Sequence, residues 1–333
     1  MSYQNKSFYI GGSFTTYILI FLSFYTFSLL TGCKKNTSKI DDLNIEHSDN
    51  CIPLQPCDQV TIGSGYEYIV DLQNFVTNPT FNPNNENEIV YLNQPTYDFW
   101  ELYTFNLITK EKKLLLTGDI REPKWGKKNW IIFGKSDANI YKIKSNGDSL
   151  KQLTYSNNMH HPIWNYDGTK FLAFTEESNL FSLVFDLNGN ILDTINFGQT
   201  NNSNFENPDY IVSNVYGKIY FFNINSNVIE YDYDYSDINS SGWGSIFWLN
   251  NNEVIYSNSA GLNKLTIPFL YNNNIKQSCN AKMYLWGDIN NSMTKMIWSR
   301  GDYIQINECT LKYRSGIYIM DIDGENEKEI KLN

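Results

Sequence analysis

Histidine is the side chain whose charge changes near neutral pH, and this 333-residue chain holds only three: His47, His160 and His161. His160 and His161 stand side by side, immediately before Pro162. Adjacent imidazoles chelate poorly, and a metal would need a third ligand from elsewhere in the chain. The pair is therefore read as polar loop groups, with no metal and no cofactor expected. Other catalytic signatures are missing. Gly63-Ser64-Gly65 lacks the spacing of a G-x-S-x-G nucleophile elbow, and there is no H-E-x-x-H, phosphate-binding loop or G-x-G-x-x-G motif. Asp321-Ile322-Asp323-Gly324 opens like a calcium loop, but position 332, where the closing glutamate belongs, is Leu332. Glu230 to Asp237 alternates acids with tyrosines, as a strand with one wet and one packed face does. Tyr97, Phe99 and Trp100 would make either a stacking platform or core. No catalytic residue is assigned.

The elements that position these residues show themselves as a repeat. Pro-x-aromatic recurs at Pro79-Thr80-Phe81, Pro123-Lys124-Trp125, Pro162-Ile163-Trp164 and Pro208-Asp209-Tyr210. The aromatic alone persists at Trp248 and Trp298, and the mean spacing of the six anchors is about 43 residues. A short apolar strand follows each anchor, for example Trp130 to Phe133 and Phe171 to Phe174. Alternating strands broken by Asn146-Gly147 or Asp323-Gly324 then read as antiparallel hairpins. Four strands in some 43 residues is one propeller blade. Six anchors predict an all-β, six-bladed β-propeller of four-stranded antiparallel blades over residues 59–333. Each Pro is expected at the start of an inner strand, where its missing N–H is tolerated. The strand from Tyr66 to Leu72 is a candidate for closing the ring beside the last blade, where Lys328 to Leu332 also offers an outer strand.

Ile140-Tyr141, Gly147, Leu153-Thr154, Pro162, Trp164, Asp167-Gly168 and Phe174 together resemble the TolB-type propeller repeat, and Ile317 to Gly324 fits the same pattern. The resemblance covers about residues 78–333 and implies binding of cell-envelope proteins. TolB itself carries an additional N-terminal domain, and here only residues 34 to about 58 precede the propeller. In that fold the loop holding His160 and His161 faces one mouth of the central channel. Repeat register adds Arg121, Asn207 and Trp243, giving a ring that would bind a polar or anionic group.

Residues 1–32 carry one charge, Lys6, and a 14-residue apolar run from Tyr17 to Leu30. That run is shorter than the ~20 residues needed to span a bilayer and has the layout of a secretory signal. Leu30-Thr31-Gly32-Cys33 resembles the bacterial lipobox, which implies cleavage before Cys33 and a lipidated cysteine holding the protein at a membrane. The alternative is an uncleaved anchor helix, and both readings export the chain. No Asp follows Cys33, which by the same resemblance points to the outer membrane. Residues 33–58 then form a lipidated polar tether. Cys51, Cys57, Cys279 and Cys309 remain, an even number suited to two disulfides in an exported chain. Pairing is either long-range, joining the ends of the ring, or local. The net charge of −10 and a pI near 4.9 disfavour a nucleic-acid partner. Together these features predict a lipid-anchored, non-catalytic binding or scaffold module for an envelope protein or glycan. The alternative is a channel-mouth enzyme, either a glycan lyase or hydrolase or one related to the propeller peptidases.

Overall fold

The computed structural model describes residues 67–71, 75–96, 99–175, 181–195, 203–204, 207–215, 217–235, 244–258, 261–268, 271–277, 282–307 and 310–332. Cys33, Cys51, Cys57, Cys279, Cys309, Tyr97 and Trp243 lie outside them, as do the signal and the tether.

The described strands form six separate sheets, one per blade. Blade 1 runs from Val76–Asn82 through Asn85–Thr96 and Phe99–Asn106 to Lys112–Gly118. Blade 2 contains Arg121–Trp125, Trp130–Gly134, Ile140–Lys144 and Lys151–Gln152, and blade 3 contains Met159–Trp164, Lys170–Thr175, Ser182–Asp186 and Ile191–Ile195. Blade 4 is Ser203–Asn204, Tyr210–Val215, Lys218–Asn223 and Val228–Asp234; blade 5 is Ile246–Asn250, Glu253–Asn258, Gly261–Thr266 and Tyr271–Gln277. Blade 6 holds Lys282–Ile289, Lys295–Asn307, Thr310–Asp321 and Lys328–Glu329. Every blade is an antiparallel meander. The turns joining strands one to two and three to four therefore lie on one face of the disc, here the turn face. The inner strands begin on the opposite, mouth face.

Strand alternation places apolar residues on both sides of each blade, and these meet in six clusters, one in each seam. Val90, Leu92 and Leu102 of blade 1 meet Trp125, Ile131 and Phe133 of blade 2. Ile132 and Ile140 meet Trp164, Phe171 and Phe185 of blade 3. Around the ring, Phe81, Ile89, Tyr91 and Phe105 of blade 1 finally pack on Ile297, Ile317 and Ile330 of blade 6. That last seam closes the ring. Polar contacts reinforce it: the Phe81 N–H donates to Asp288 Oδ2 at 2.8 Å, and Glu86 accepts from the Ser292 N–H at 2.5 Å and from Asn290 Nδ2 at 2.8 Å.

Both candidates for the outer edge of blade 6 are used. The third strand, Thr310–Asp321, pairs in parallel with Glu67–Val70 along its first part and antiparallel with Lys328–Glu329 near its end. The long hairpin of Lys295–Asn307 and Thr310–Asp321 is what leaves room for both. The Lys312–Asp71 ion pair at 2.9 Å ties the early strand down.

Three readings need correction. Tyr210 and Trp298 belong to second strands, not inner ones, so the repeat register slips in blades 4 and 6. Of the inner strand of blade 4, the described residues are Ser203–Asn204. In blade 6 the inner strand has Gly287 opposite Trp298, and a Cβ at 287 would stand 2.5 Å from that indole. Trp298 fills the seam from the neighbouring strand because Gly287 leaves it the room. The third correction concerns proline. Pro79, Pro123 and Pro162 stand inside the inner strands, at a register shift in each. A bulge relieves the ladder of the missing N–H.

Candidate binding site at the channel mouth

Each bulge forces the residue before the proline into a left-handed backbone: Asn78 has φ 52°, Glu122 φ 51° and His161 φ 51°. Non-glycine residues rarely adopt this region, and such strain is held only where the surroundings impose it. Three consecutive blades thus place a polar side chain in the same distorted position at the mouth face.

Two of the three meet across the seam between blades 2 and 3. His161 Nδ1 lies 2.5 Å from Glu122 Oε2, with side-chain exposures of 21% and 17%. Burial alone would raise the Glu122 carboxyl, but His161, then Lys124 and His160, outweigh it and hold Glu122 below its ordinary range. The His160 ring centroid is 6.1 Å from that of His161, and Phe174 lies 6.5 Å from His161 on its other side. Arg121 Nε is 3.3 Å from Asp119 Oδ1. The structure thus sets His160 and His161 beside Glu122 across this seam, while Arg121 opens the inner strand of blade 2 next to Asp119.

Asn207 does not join them. It sits in the turn before the second strand of blade 4, on the turn face, where its Oδ1 accepts from the N–H groups of Asp209 at 2.9 Å and Tyr210 at 3.2 Å. The slipped register in that blade misplaces it. Glu122 was legible in the sequence, since it precedes Pro123 as His161 precedes Pro162.

A second polar group, in blade 6, had no sequence signal. Arg300, 3% exposed, holds Asp302 at 3.0 Å and Glu327 at 3.0 Å, and stacks 3.5 Å from the Tyr318 ring. The Tyr284 hydroxyl donates to Glu327 at 2.9 Å. Every guanidinium nitrogen has a carboxylate partner, so this group is a structural clamp. Among the described residues, no cluster of three or more His, Cys, Asp or Glu side chains could hold a metal ion.

The acidic strings behave as turns and strands. Asp321 to Glu325 closes a hairpin, its Asp321 carbonyl accepting from the Gly324 N–H at 2.9 Å. Gly324 there has φ 87°, Gly147 in the corresponding turn of blade 2 has φ 88°, and Gly168 in the first turn of blade 3 has φ 68°, as tight hairpins require. Glu230, Asp232 and Asp234 are exposed on the outer strand of blade 4, while Tyr231 and Tyr233 pack inward. Trp100 packs against the seam of blades 1 and 2.

No known protein-family pattern matches this chain, and no curated protein matches it. Solved structures do: 1129 chains share the fold. One is a chain from the crystal structure of a mitotic checkpoint complex, 8% identical with a TM-score of 0.50 over 89% of this chain and 90% of that one. At that identity the likeness establishes the propeller architecture alone.

Proposed function

We propose that the protein is a lipid-anchored binding module of the bacterial cell envelope, presenting the mouth built from Arg121, Glu122, His160 and His161 to an envelope protein or glycan. The observation that carries this reading is the cross-blade Glu122–His161 pair, held at 2.5 Å by two strained pre-proline residues. Strain kept at one mouth by successive blades fits selection for a polar surface more readily than for stability. The local cations Arg121 and Lys124 suit a carboxylate or other anionic group on the ligand. The TolB-type repeat pattern supports an envelope partner, and the Leu30-Thr31-Gly32-Cys33 string supports anchoring at the outer membrane.

A photo-crosslinking residue placed at position 121, compared with one at position 293 on the turn face, tests the site in intact cells. A discrete adduct from 121 that Glu122→Gln weakens is expected. The absence of any adduct from 121 would overturn the proposal. Anchoring is tested separately by intact mass, which should show a chain beginning at acylated Cys33. A mature protein retaining residues 1–32 would refute it. A carboxylate–imidazole pair also suits general acid–base chemistry, so hydrolysis of peptidoglycan fragments lost on Glu122→Gln would favour the enzymatic reading instead.

A further inference from the structure

The distribution of ion pairs is lopsided. Of the eight lysines in blades 4 to 6, six are paired with a carboxylate: Lys218, Lys264, Lys276, Lys295, Lys312 and Lys331. Blades 1 to 3 hold eleven lysines, all between Lys110 and Lys170, and among the described residues none of them is ion-paired. Residues 107–170 carry twelve Lys and Arg against six Asp and Glu, within a chain of net charge −10.

These lysines concentrate on the turn face. Lys127 and Lys128 form the first turn of blade 2, and Lys110 lies in the last turn of blade 1. Their neighbours draw them into one patch. Lys113 Nζ donates to the Asn146 carbonyl at 2.8 Å, and Lys144 Nζ reaches the Lys128 carbonyl at 3.5 Å. Lys142 and Lys144 lie 4.1 and 3.9 Å from the same Trp130 ring. Carbonyl oxygens and an aromatic face stand where blades 4 to 6 use acids; among the described residues none of these lysines is ion-paired, and they outnumber the acids of the same turns, Glu111, Asp148 and Asp167.

Apolar side chains protrude from the same face. Eight of the eleven exposed large hydrophobics lie in, or within two residues of, its turns. Ile108 (68% exposed), Leu150 (46%) and Tyr166 (45%) tip three turns of blades 1 to 3. Ile191, Val228 and Met293 continue the series around the ring. The topology of the meanders brings all these tips to one end of a disc. Apolar tips set among unpaired lysines on a flat face match a headgroup layer, where lysines meet phosphates and apolar groups enter the acyl boundary. A soluble acidic partner would account for the lysines but not for the ring of apolar tips.

We infer that the turn face of blades 1 to 3 docks directly on an anionic phospholipid surface, independently of any lipid on Cys33. The 33 residues between Cys33 and Glu67 can extend to roughly 100 Å, enough for either face of the disc to reach the membrane.

The test uses residues 33–333 with Cys33→Ser, which keeps every contact described here and removes the acyl chains. Cosedimentation with vesicles of phosphatidylglycerol and phosphatidylcholine should exceed that with phosphatidylcholine alone and fall steeply between 0.1 and 0.5 M salt. Lys127→Gln with Lys128→Gln should weaken it about 30-fold, whereas Lys328→Gln in blade 6 should leave it unchanged. Leu150→Trp should shift its fluorescence to the blue on vesicle binding, and Phe99→Trp on the mouth face should not. Equal binding to both vesicle types, a shift at position 99 in place of 150, or binding to polyglutamate as tight as to vesicles would overturn the inference.

Discussion

Trp164 is the sharpest probe of how the blades are joined. Its indole is 5% exposed and stands edge-on to Phe171 at 6.2 Å, and its Nε1–H donates to the Lys124 carbonyl of blade 2 at 2.9 Å. Gly126 of blade 2 lies directly under the ring, where an added Cβ would come within 2.6 Å of Trp164 Cε2. Trp164→Ala removes a large buried ring, a loss of ~3–5 kcal/mol. Trp164→Phe keeps most of the packing and loses that hydrogen bond, for ~0.5–1.5 kcal/mol. The contrast is with Trp125 and Trp248, whose indole N–H groups find no acceptor among the described residues. Their change to Phe removes a buried orphan donor, and the loss should be smaller than at 164. Gly126→Ala should cost ~1–3 kcal/mol by overpacking, and that cost should largely vanish in a Trp164→Ala background because the two share one site. Urea unfolding followed by fluorescence and circular dichroism measures all six variants, the double one included. A loss below ~1 kcal/mol for Trp164→Ala, or a Gly126→Ala effect that is unchanged without the indole, would refute the seam described here.

Three further outcomes are expected. Glu122 is held below its ordinary carboxyl range in the folded chain, so the unfolded chain takes up its proton first as pH falls. The stability it contributes is full above about pH 4.5 and is lost as pH drops through the lower folded value; Glu122→Gln should flatten that part of the urea-midpoint profile, and an unchanged slope would contradict the pairing with His161. Arg300→Met should destabilise by ~3–5 kcal/mol in the same assay, since it strands the buried Asp302 and Glu327 carboxylates, and adding Asp302→Asn should recover part of the loss. Peptide mapping without reduction should find Cys51, Cys57, Cys279 and Cys309 in two disulfides, and four free thiols would remove the chemical support for export.

What could be read from the sequence follows from what repeats. Blades 1 to 3 keep Pro-x-aromatic, and blades 2 and 3 also a Gly turn, so their strands and anchors were legible in register. In blade 4 the Pro208-Asp209-Tyr210 string mimics the anchor one strand late, while the inner strand at Ser203–Asn204 carries neither a proline nor an aromatic there. Asn207 was carried to the wrong face by that slip. In blade 6 the seam is filled by Trp298 over Gly287, a packing solution that no local pattern announces. The Arg300 clamp was invisible for a related reason. Arg300 and Asp302 look like ordinary strand polar residues until the loop containing Glu327 and the ring of Tyr318 are brought over them by the tertiary fold.

The prolines connect these observations to the proposed function. A propeller's inner strand has a free edge along the channel, so a proline there could sit in a regular strand at little cost. Instead Pro79, Pro123 and Pro162 each come with a bulge and a preceding residue near φ +50°. The residue before a proline is itself disfavoured in helical backbone, so the geometry carries strain that a regular inner strand would avoid. Blades 5 and 6 seal their seams on Trp248 and Trp298 with neither the proline nor the strained residue. Seam formation alone therefore requires neither the proline nor the left-handed residue, although the inner strands of blades 5 and 6 have register shifts of their own. In blades 2 and 3 the residues in this backbone, Glu122 and His161, face each other across the seam. Among the described inner strands, the left-handed pre-proline residues belong to blades 1 to 3, and the Glu122–His161 contact joins two of them.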